Sequence, residues 1–289
     1  MGIARWSALL SGGVAVVLVA GCGSGEPTAS VAARATIPPA RPVPVGDRAV
    51  ALGTGEHLYV NVGHDGRGRV LTRIAVFGRD GRLRSKRLVP GSWSLPAAVP
   101  GQAEGFSWDG SRVVVVSTRN PGRFVALSAA GPDTVRRTVA PRGRYSYDGL
   151  SADGTRLFLV ERANEDGVPG YRVLRYDLQT GVLDPHPIVD KAEGETILVG
   201  EPVARAPTRD FLYTVYENGA RPFVHALESE GNFALCLDLP VEHRAAAHAA
   251  WSARRLGDGA AEIRNAVLHR AYRLEAGRMT PIPYAHAVE

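Results

Sequence analysis

A β-hairpin pattern that returns at a nearly constant interval is the feature that most constrains this chain. In residues 172–189, alternating apolar side chains lead into the turn Gln179-Thr180-Gly181, and a second extended run follows. The same pattern begins again at Arg73, Arg123, Arg221 and Arg270, so that successive starts lie 50, 49, 49 and 49 residues apart. A fixed period of this length, built from strands, predicts an all-β fold of radially repeated units, the β-propeller.

Each hairpin is followed by a loop and a strongly apolar strand, which we interpret as the second half of the repeat. These strands are residues 113–117, 157–161, 212–216 and 262–267. The last hairpin, 270–284, has no such strand after it, whereas residues 48–52 and 58–62 precede the first hairpin. We therefore predict that the N-terminal strands complete the last blade and close the ring without an open sheet edge. Five hairpins and five second halves predict five blades, with six as the alternative.

The turns before two of the apolar strands share the pattern Ser-x-Asp-Gly. Ser107 to Ser111 and Ser151 to Thr155 both carry it. An aspartate can cap such a turn with its carboxylate and a glycine can take the positive φ, so the pattern has a structural explanation. It also resembles the WD40-like repeats of TolB-type and YVTN-type bacterial propellers. The resemblance covers residues 47–289 and implies an architecture, without identifying an activity.

The first 21 residues are typical of a secretory signal peptide. A single basic residue, Arg5, is followed by an apolar run at 14–20, which is too short to span a bilayer as a permanent helix. The residues before Cys22 resemble the lipobox of bacterial lipoproteins, and they are Leu18, Val19, Ala20 and Gly21. That resemblance implies recognition by the signal peptidase at these four positions and a diacylglycerol on the Cys22 thiol. The alternatives are a plain signal peptide with an incidental cysteine, or a buried core cysteine.

Residues 22–46 then read as the lipidated cysteine followed by a flexible tether. The segment is rich in Gly, Ser, Ala, Thr and Pro and has no aromatic residue, so it cannot bury enough apolar surface to fold. Residues 47–289 form the predicted propeller domain. If Cys22 carries lipid, Cys236 is the one cysteine left, and we expect it to be a small packed side chain and not a reactive thiol.

Composition and motifs narrow the function without fixing it. The formal net charge is +5, but the arginines alternate with Asp and Glu and form no long basic run, so a nucleic-acid partner is not expected. Residues 240–255 are the best helical candidate, yet His243 and His248 are five apart and do not share a helical face, which disfavours a metal site. We find no nucleophile elbow, phosphate loop or dinucleotide fingerprint, and we expect no cofactor.

Two functions are therefore consistent with the sequence. The first is a binding or scaffold module for a protein, peptide or glycan, held by lipid at the outer face of the cytoplasmic membrane. The second is an extracytoplasmic hydrolase, similar to lactonase-like propellers, with its site in the central channel. Carboxylates or imidazoles converging at the channel mouth would favour the enzyme, whereas an apolar or arginine-lined channel would favour binding.

Overall fold

The computed structural model describes residues 50–51, 55–129, 136–165, 168–190, 197–218, 221–241, 250–257 and 259–284. All of its regular elements are β-strands, and they form five antiparallel sheets in chain order. Sheet 1 contains β1 (Val50–Ala51), β2 (His57–His64), β3 (Val70–Phe77) and β4 (Leu83–Pro90). Sheet 2 contains β5 (Trp93–Ser94), β6 (Arg112–Ser117), β7 (Phe124–Ser128) and β8 (Arg136–Val139).

The remaining three sheets follow the same plan. Sheet 3 contains β9 (Tyr145–Leu150), β10 (Arg156–Glu165) and β11 (Val168–Asp177). Sheet 4 contains β12 (Glu201–Pro207), β13 (Phe211–Glu217), β14 (Phe223–Glu228) and β15 (Ala234–Asp238). Sheet 5 contains β16 (Trp251–Arg255), β17 (Ala261–Asn265), β18 (Arg270–Glu275) and β19 (Arg278–Ile282). Within each sheet every strand pairs with the next strand in sequence.

The central strands of the sheets form because they are rich in β-branched and aromatic residues. β6 contains four consecutive valines, and β13 reads FLYTVYE. Both are buried along nearly their whole length, which shows that these strands are covered on two faces. The apolar strand of each predicted repeat is therefore confirmed as a strand, and in each sheet it is the second one in order.

Hydrophobic clusters join each sheet to the next one along the chain. Four separate clusters pack sheet 1 on sheet 2, sheet 2 on sheet 3, sheet 3 on sheet 4, and sheet 4 on sheet 5. Phe158 of sheet 3 packs with Leu212 and Phe223 of sheet 4, and burial of a side chain of that size contributes about 1.5–3 kcal/mol. Four-stranded meanders packed face to face in chain order are the arrangement of β-propeller blades.

The predicted closure of the last blade by N-terminal strands is wrong. Leu58 pairs with Val76 of β3 and Val50 of β1, so 58–62 lies in the middle of sheet 1. Sheet 5 already has four strands of its own, and Leu274 pairs with Ala261 and Met279. The prediction divides the repeat at the wrong point of the chain. Each apolar strand is connected by a tight turn to the hairpin that follows it and pairs with that hairpin, and not with the hairpin before it.

The hairpin of residues 172–189, with which the sequence pattern is most easily recognised, is only partly regular. β11 is a full strand, but 182–189 contributes a single bridge, Tyr176 to Leu183, and scattered backbone hydrogen bonds such as Ile188 N–H to Val173 C=O. Pro185 and Pro187 explain this, because neither has the N–H that a ladder requires. Sheet 3 consequently has three strands where the others have four.

The helical expectation for 240–255 is wrong where it can be tested. Residues 251–255 form β16, which pairs with β17 from Trp251 opposite Asn265 to Arg255 opposite Ala261. Trp251 is buried against sheet 4, and this packing overrides the helical tendency of the preceding alanines. Residues 242–249, which include His243 and His248, lie outside the described residues.

The Ser-x-Asp-Gly turns have the structure expected for them. Asp153 accepts hydrogen bonds from the Ser151 hydroxyl at 2.6 Å and from the Thr155 N–H at 3.0 Å, and Gly154 has φ 68°. The same contacts recur around Asp109, with Gly110 at φ 71°. These residues shape the turns that precede β6 and β10.

Candidate functional site

Strands from three of the sheets, and a segment next to a fourth sheet, converge on one cavity. The first strands of sheets 3, 4 and 5 line it, together with residues 102–108, which precede β6 of sheet 2. Its volume is about 310 Å³. The aromatic and charged side chains that line it are Glu104, Phe106, Trp108, Tyr147, Arg205, Arg254 and Arg255. The cavity therefore lies where the first strands of three consecutive sheets meet.

A buried arginine is the centre of the polar groups in the cavity wall. The Arg205 side chain is 1% exposed, and its Nε lies 3.1 Å from Glu104 Oε1. Its Nη1 lies 3.2 Å from Asp148 Oδ1 and donates a hydrogen bond to Thr214 Oγ1 at 2.6 Å. Removing three charges from water is costly, and here the mutual attraction of opposite charges offsets part of that cost. The cluster ties together the segment before β6, strand β9 and strands β12 and β13.

The charge of this cluster depends on Glu104. Burial raises the pKa of the Glu104 carboxyl to about 7, and the negative charge of Asp148 adds to the rise, while Arg205 opposes both. With Glu104 protonated, one guanidinium faces one carboxylate and the cluster is neutral. With Glu104 ionised, two carboxylates share one guanidinium, so the cluster carries a net negative charge in a desolvated place.

A histidine and two tyrosines extend the buried polar region. His225 of β14 is 1% exposed, and burial lowers its pKa to about 4, so the imidazole is neutral at pH 7. Its Nε2 has no hydrogen-bond partner within the described part of the chain. Burial raises the pKa of Tyr147 and of Tyr216 above the usual value for a phenol. These groups are therefore uncharged at neutral pH.

Two exposed arginines of β16 form the outer part of the cavity. Arg254 Nη2 donates to Glu262 Oε2 at 3.0 Å, and Glu262 also pairs with Arg264. The Arg255 guanidinium lies 5.3 Å from the centroid of the Trp108 ring, which is a cation–π distance. No carboxylate of the described segments pairs with Arg255. The cavity therefore offers one cation, Arg255, on an aromatic surface, and this cation is available for an anionic group.

The described residues contain neither a metal cluster nor a membrane-spanning helix. No group of three or more His, Cys, Asp or Glu residues in the described ranges could hold a metal ion. No helix in those ranges is long and apolar enough to cross a membrane. Arg205, Arg254 and Arg255 outnumber the one carboxylate, Glu104, that lines the cavity.

The site residues predicted from sequence cannot be placed. Cys22 and the four residues before it, Leu18, Val19, Ala20 and Gly21, lie outside the described residues. Cys236 lies on β15, packs at the edge of the cluster between sheets 3 and 4, and donates its N–H to Asp190 Oδ2 at 3.0 Å. The expectation of a lone thiol is wrong for Cys236, because it is disulfide-bonded and not free. Cys22 is the only other cysteine of the chain.

Sequence reasoning missed the Arg205 cluster, although a signal for it is present. Asp148 lies within the strand YSYDGL and Arg205 lies between two alanines of β12. A charged residue at a position that alternation assigns to the interior requires a buried partner. The sequence does not show which charged residues pair with each other, because Glu104, Asp148 and Arg205 lie on three different sheets or the segments beside them.

Comparison with known proteins gives only distant structural similarities. No family profile and no curated protein matches the chain. TolB from Acinetobacter baumannii is similar at 15% identity, over 68% of this chain and 44% of that one, with a TM-score of 0.37. A putative TolB from Agrobacterium tumefaciens is similar at 12% identity, over 77% of this chain and 79% of that one, with a TM-score of 0.41.

An enzyme is also among the similar structures. The acylaminoacyl peptidase of Pyrococcus horikoshii is 12% identical over 78% of this chain and 37% of that one, with a TM-score of 0.44. The chain thus spans less than half the length of TolB from Acinetobacter baumannii and of this peptidase. At these identities no activity can be transferred from either protein.

Proposed function

We propose that this protein is an extracytoplasmic β-propeller that binds an anionic group of a peptide, protein or glycan at the channel mouth. The observation that carries the proposal is the Arg255–Trp108 pair beside the cavity. A guanidinium held against an aromatic ring can bind a carboxylate through its outer N–H groups, while the ring packs on the apolar part of the same ligand. The buried charges of the inner cluster face one another and shape the cavity wall, while Arg254 is paired with Glu262, so Arg255 is left to the ligand.

We also propose that the five sheets are five blades of one ring. The supporting observations are the chain order of the four packed interfaces and the convergence of inner strands on one cavity. The six-blade alternative would need a further sheet, for which the described strands supply none.

The anchor remains part of the proposal. We infer that Cys22 is lipidated and that residues 23–46 tether the domain at the outer face of the membrane. Lipidation and the disulfide of Cys236 exclude each other if Cys22 is the partner, because a Cys22 sulfur that carries diacylglycerol cannot form a disulfide. If the anchor is right, mass spectrometry of the membrane-extracted protein should find a lipid on the N-terminal cysteine and no bond between the two cysteines. A disulfide between the two cysteines would overturn the anchor.

Ligand binding can be tested with two anionic probes. Trp108 fluorescence should respond to a polyglutamate peptide or to polygalacturonate, and Arg255→Gln should weaken the binding at least tenfold. Arg119→Gln is the matched control, since Arg119 is an exposed arginine on a turn of sheet 2 that does not line the cavity. Failure of both probes to bind, or an equal loss in the two variants, would contradict the proposed site.

One observation favours hydrolysis as a second candidate function. The Glu104 carboxyl lines the cavity and its pKa is raised to about 7, which suits a general acid or base at neutral pH. If the site were hydrolytic, Glu104→Gln would abolish turnover of a lactone or ester while the fold is retained. Unchanged binding of an anionic probe in that variant, without any turnover in the parent, favours the binding module.

A further inference from the structure

The β3–β4 hairpin of sheet 1 concentrates the positive charge of this protein. Residues 73–87, which we call the basic hairpin, contain six basic residues and one acidic residue, Asp80. Their formal charge is +5, which equals the formal net charge of the whole chain. The remainder of the chain is therefore balanced as a whole. Residues 119–144 also have a formal charge of +5, but this charge is spread over 26 residues instead of 15.

The charges of the basic hairpin are exposed and only weakly compensated. Arg82 and Arg84 have side chains that are 85% and 57% exposed, and they share the single carboxylate of Asp80 at 3.9 and 3.4 Å. Lys86 is also exposed, and no carboxylate of the described residues lies within ion-pair distance of it. Two leucines between these cations, Leu83 and Leu88, are 52% and 56% exposed.

The register places Lys86 and the two exposed leucines on one face of the sheet. Leu83, Lys86 and Leu88 lie opposite Phe77, Ala75 and Arg73, which alternate along β3, so these three side chains of β4 point to the same side, whereas Arg84 lies at an irregularity in the register. Leu88 lies opposite Arg73 of β3, which is exposed as well, whereas Val89 on the other side is buried against sheet 2. This face of the hairpin thus carries Arg73 and Lys86 together with two exposed leucines, Leu83 and Leu88.

The outermost strands of the other four-stranded sheets have fewer basic residues than β4, which has three. β15 reads ALCLD and has no basic residue, β19 reads RMTPI and has one, and β8 reads RRTV and has two. Charged residues on an edge strand also prevent edge-to-edge association, which explains basic residues on any of these strands. Among these four strands, as far as the structure describes them, β4 alone carries exposed large apolar side chains, Leu83 and Leu88.

We propose that the basic hairpin docks the domain on the surface of an anionic lipid bilayer. Cations interleaved with exposed leucines fit this surface, because guanidinium and ammonium groups reach lipid phosphates while the leucines enter the interface. Sheet 1 is also the first sheet after the predicted tether, whose 24 residues at 23–46 span roughly 27 Å on average. A tethered domain meets the bilayer at high effective concentration, so a modest affinity is sufficient. Docking would hold one side of the molecule on the membrane.

A vesicle experiment on unlipidated full chain tests this surface apart from the anchor. Full chain with Cys22→Ala is mixed with vesicles of phosphatidylcholine alone or with added phosphatidylglycerol, and the bound fraction is measured by flotation. Binding should require phosphatidylglycerol and weaken as salt is added. The triple variant Arg82→Gln, Arg84→Gln and Lys86→Gln should bind roughly 100-fold more weakly, since each basic residue near the surface contributes about fivefold.

Two further variants make the result specific. Arg119→Gln, Arg142→Gln and Arg144→Gln together remove the same charge from exposed positions elsewhere and should leave binding within about twofold of the parent. Arg82→Lys with Arg84→Lys keeps the charge and should retain binding. The signal segment is common to all variants, so it cannot produce a difference between them. Equal binding to both vesicle types, equal loss in the control, or tighter binding to duplex DNA at the same salt would overturn the proposal.

Discussion

Replacing Glu104, a residue of the cavity wall, by glutamine should change how the free energy of unfolding depends on pH. In the folded protein the pKa of Glu104 is raised from 4.5 to about 7, mainly by burial. In the unfolded chain the carboxyl ionises near its ordinary value. Between these two pH values the unfolded state has lost the proton that the folded state still holds, so the wild-type protein loses stability as pH rises through this window.

The size of the effect follows from the pKa difference. A shift of one pH unit corresponds to 1.36 kcal/mol, so Glu104 makes the wild type about 3 kcal/mol less stable above pH 7 than below pH 4.5, relative to a chain without this group. Against a total stability of roughly 5–15 kcal/mol this is a large contribution. Glu104→Gln removes it, so the stability of the variant minus that of the wild type should increase by about 3 kcal/mol across the window.

His225 hides this effect in the wild type, because it acts in the opposite direction over nearly the same range. Its pKa is lowered from 6.5 to about 4 by burial, so its contribution is present above pH 6.5 and is lost as pH falls toward 4. The two slopes nearly cancel. His225→Gln should therefore produce a difference curve of opposite sign, in which the variant loses about 3 kcal/mol relative to the wild type as pH rises.

Equilibrium urea unfolding of the three proteins, followed by tryptophan fluorescence between about pH 4 and 8, measures both curves. The difference curves isolate each group, since all other titrating residues are common to the proteins being compared. A Glu104→Gln difference that stays flat or decreases with pH would refute the assignment of a raised pKa to this carboxyl. Two difference curves of the same sign would refute the opposing roles of Glu104 and His225.

Two further substitutions test the cluster and the repeated turn. Arg205→Met should cost about 3–5 kcal/mol, because it leaves Glu104 and Asp148 without their counter-charge, and adding Glu104→Gln should recover part of the loss in the same urea assay. Gly154→Ala should cost at least about 1 kcal/mol more than Gly68→Ala, since both glycines have positive φ but a Cβ at 154 would lie 2.4 Å from Arg112 Cβ, whereas the space at 68 is open. Equal costs for the two alanines would show that the backbone angle alone decides the effect.

Much of the fold is predictable from sequence because short stretches of the chain determine it. The apolar strands of the repeats and the Ser-x-Asp-Gly turns depend on residues that are close in the chain, and all of them have the expected structure. The division of the chain into separate sheets does not depend on local sequence alone. By sequence pattern, residues 58–62 could pair with the hairpin that follows them or with the last hairpin of the chain. Which pairing forms depends on the length of the connecting turn and on which face of each sheet its neighbour covers. The sequence alone consequently predicts the wrong pairing partners for residues 58–62.

The cavity wall could be predicted only in part, since its partners are distant in the chain. A linear reading identifies Asp148 and Arg205 as charges within apolar strands, and this establishes that each needs a partner. It cannot establish that they need each other, because 57 residues and the width of a sheet separate them. The position of Arg255 is not predictable from sequence, because Arg255 lies in a segment whose alanines indicate a helix. The packing of Trp251 makes this segment a strand and places Arg255 beside Trp108. Function in this architecture therefore depends on contacts between sheets, which a repeat pattern within one sheet does not encode.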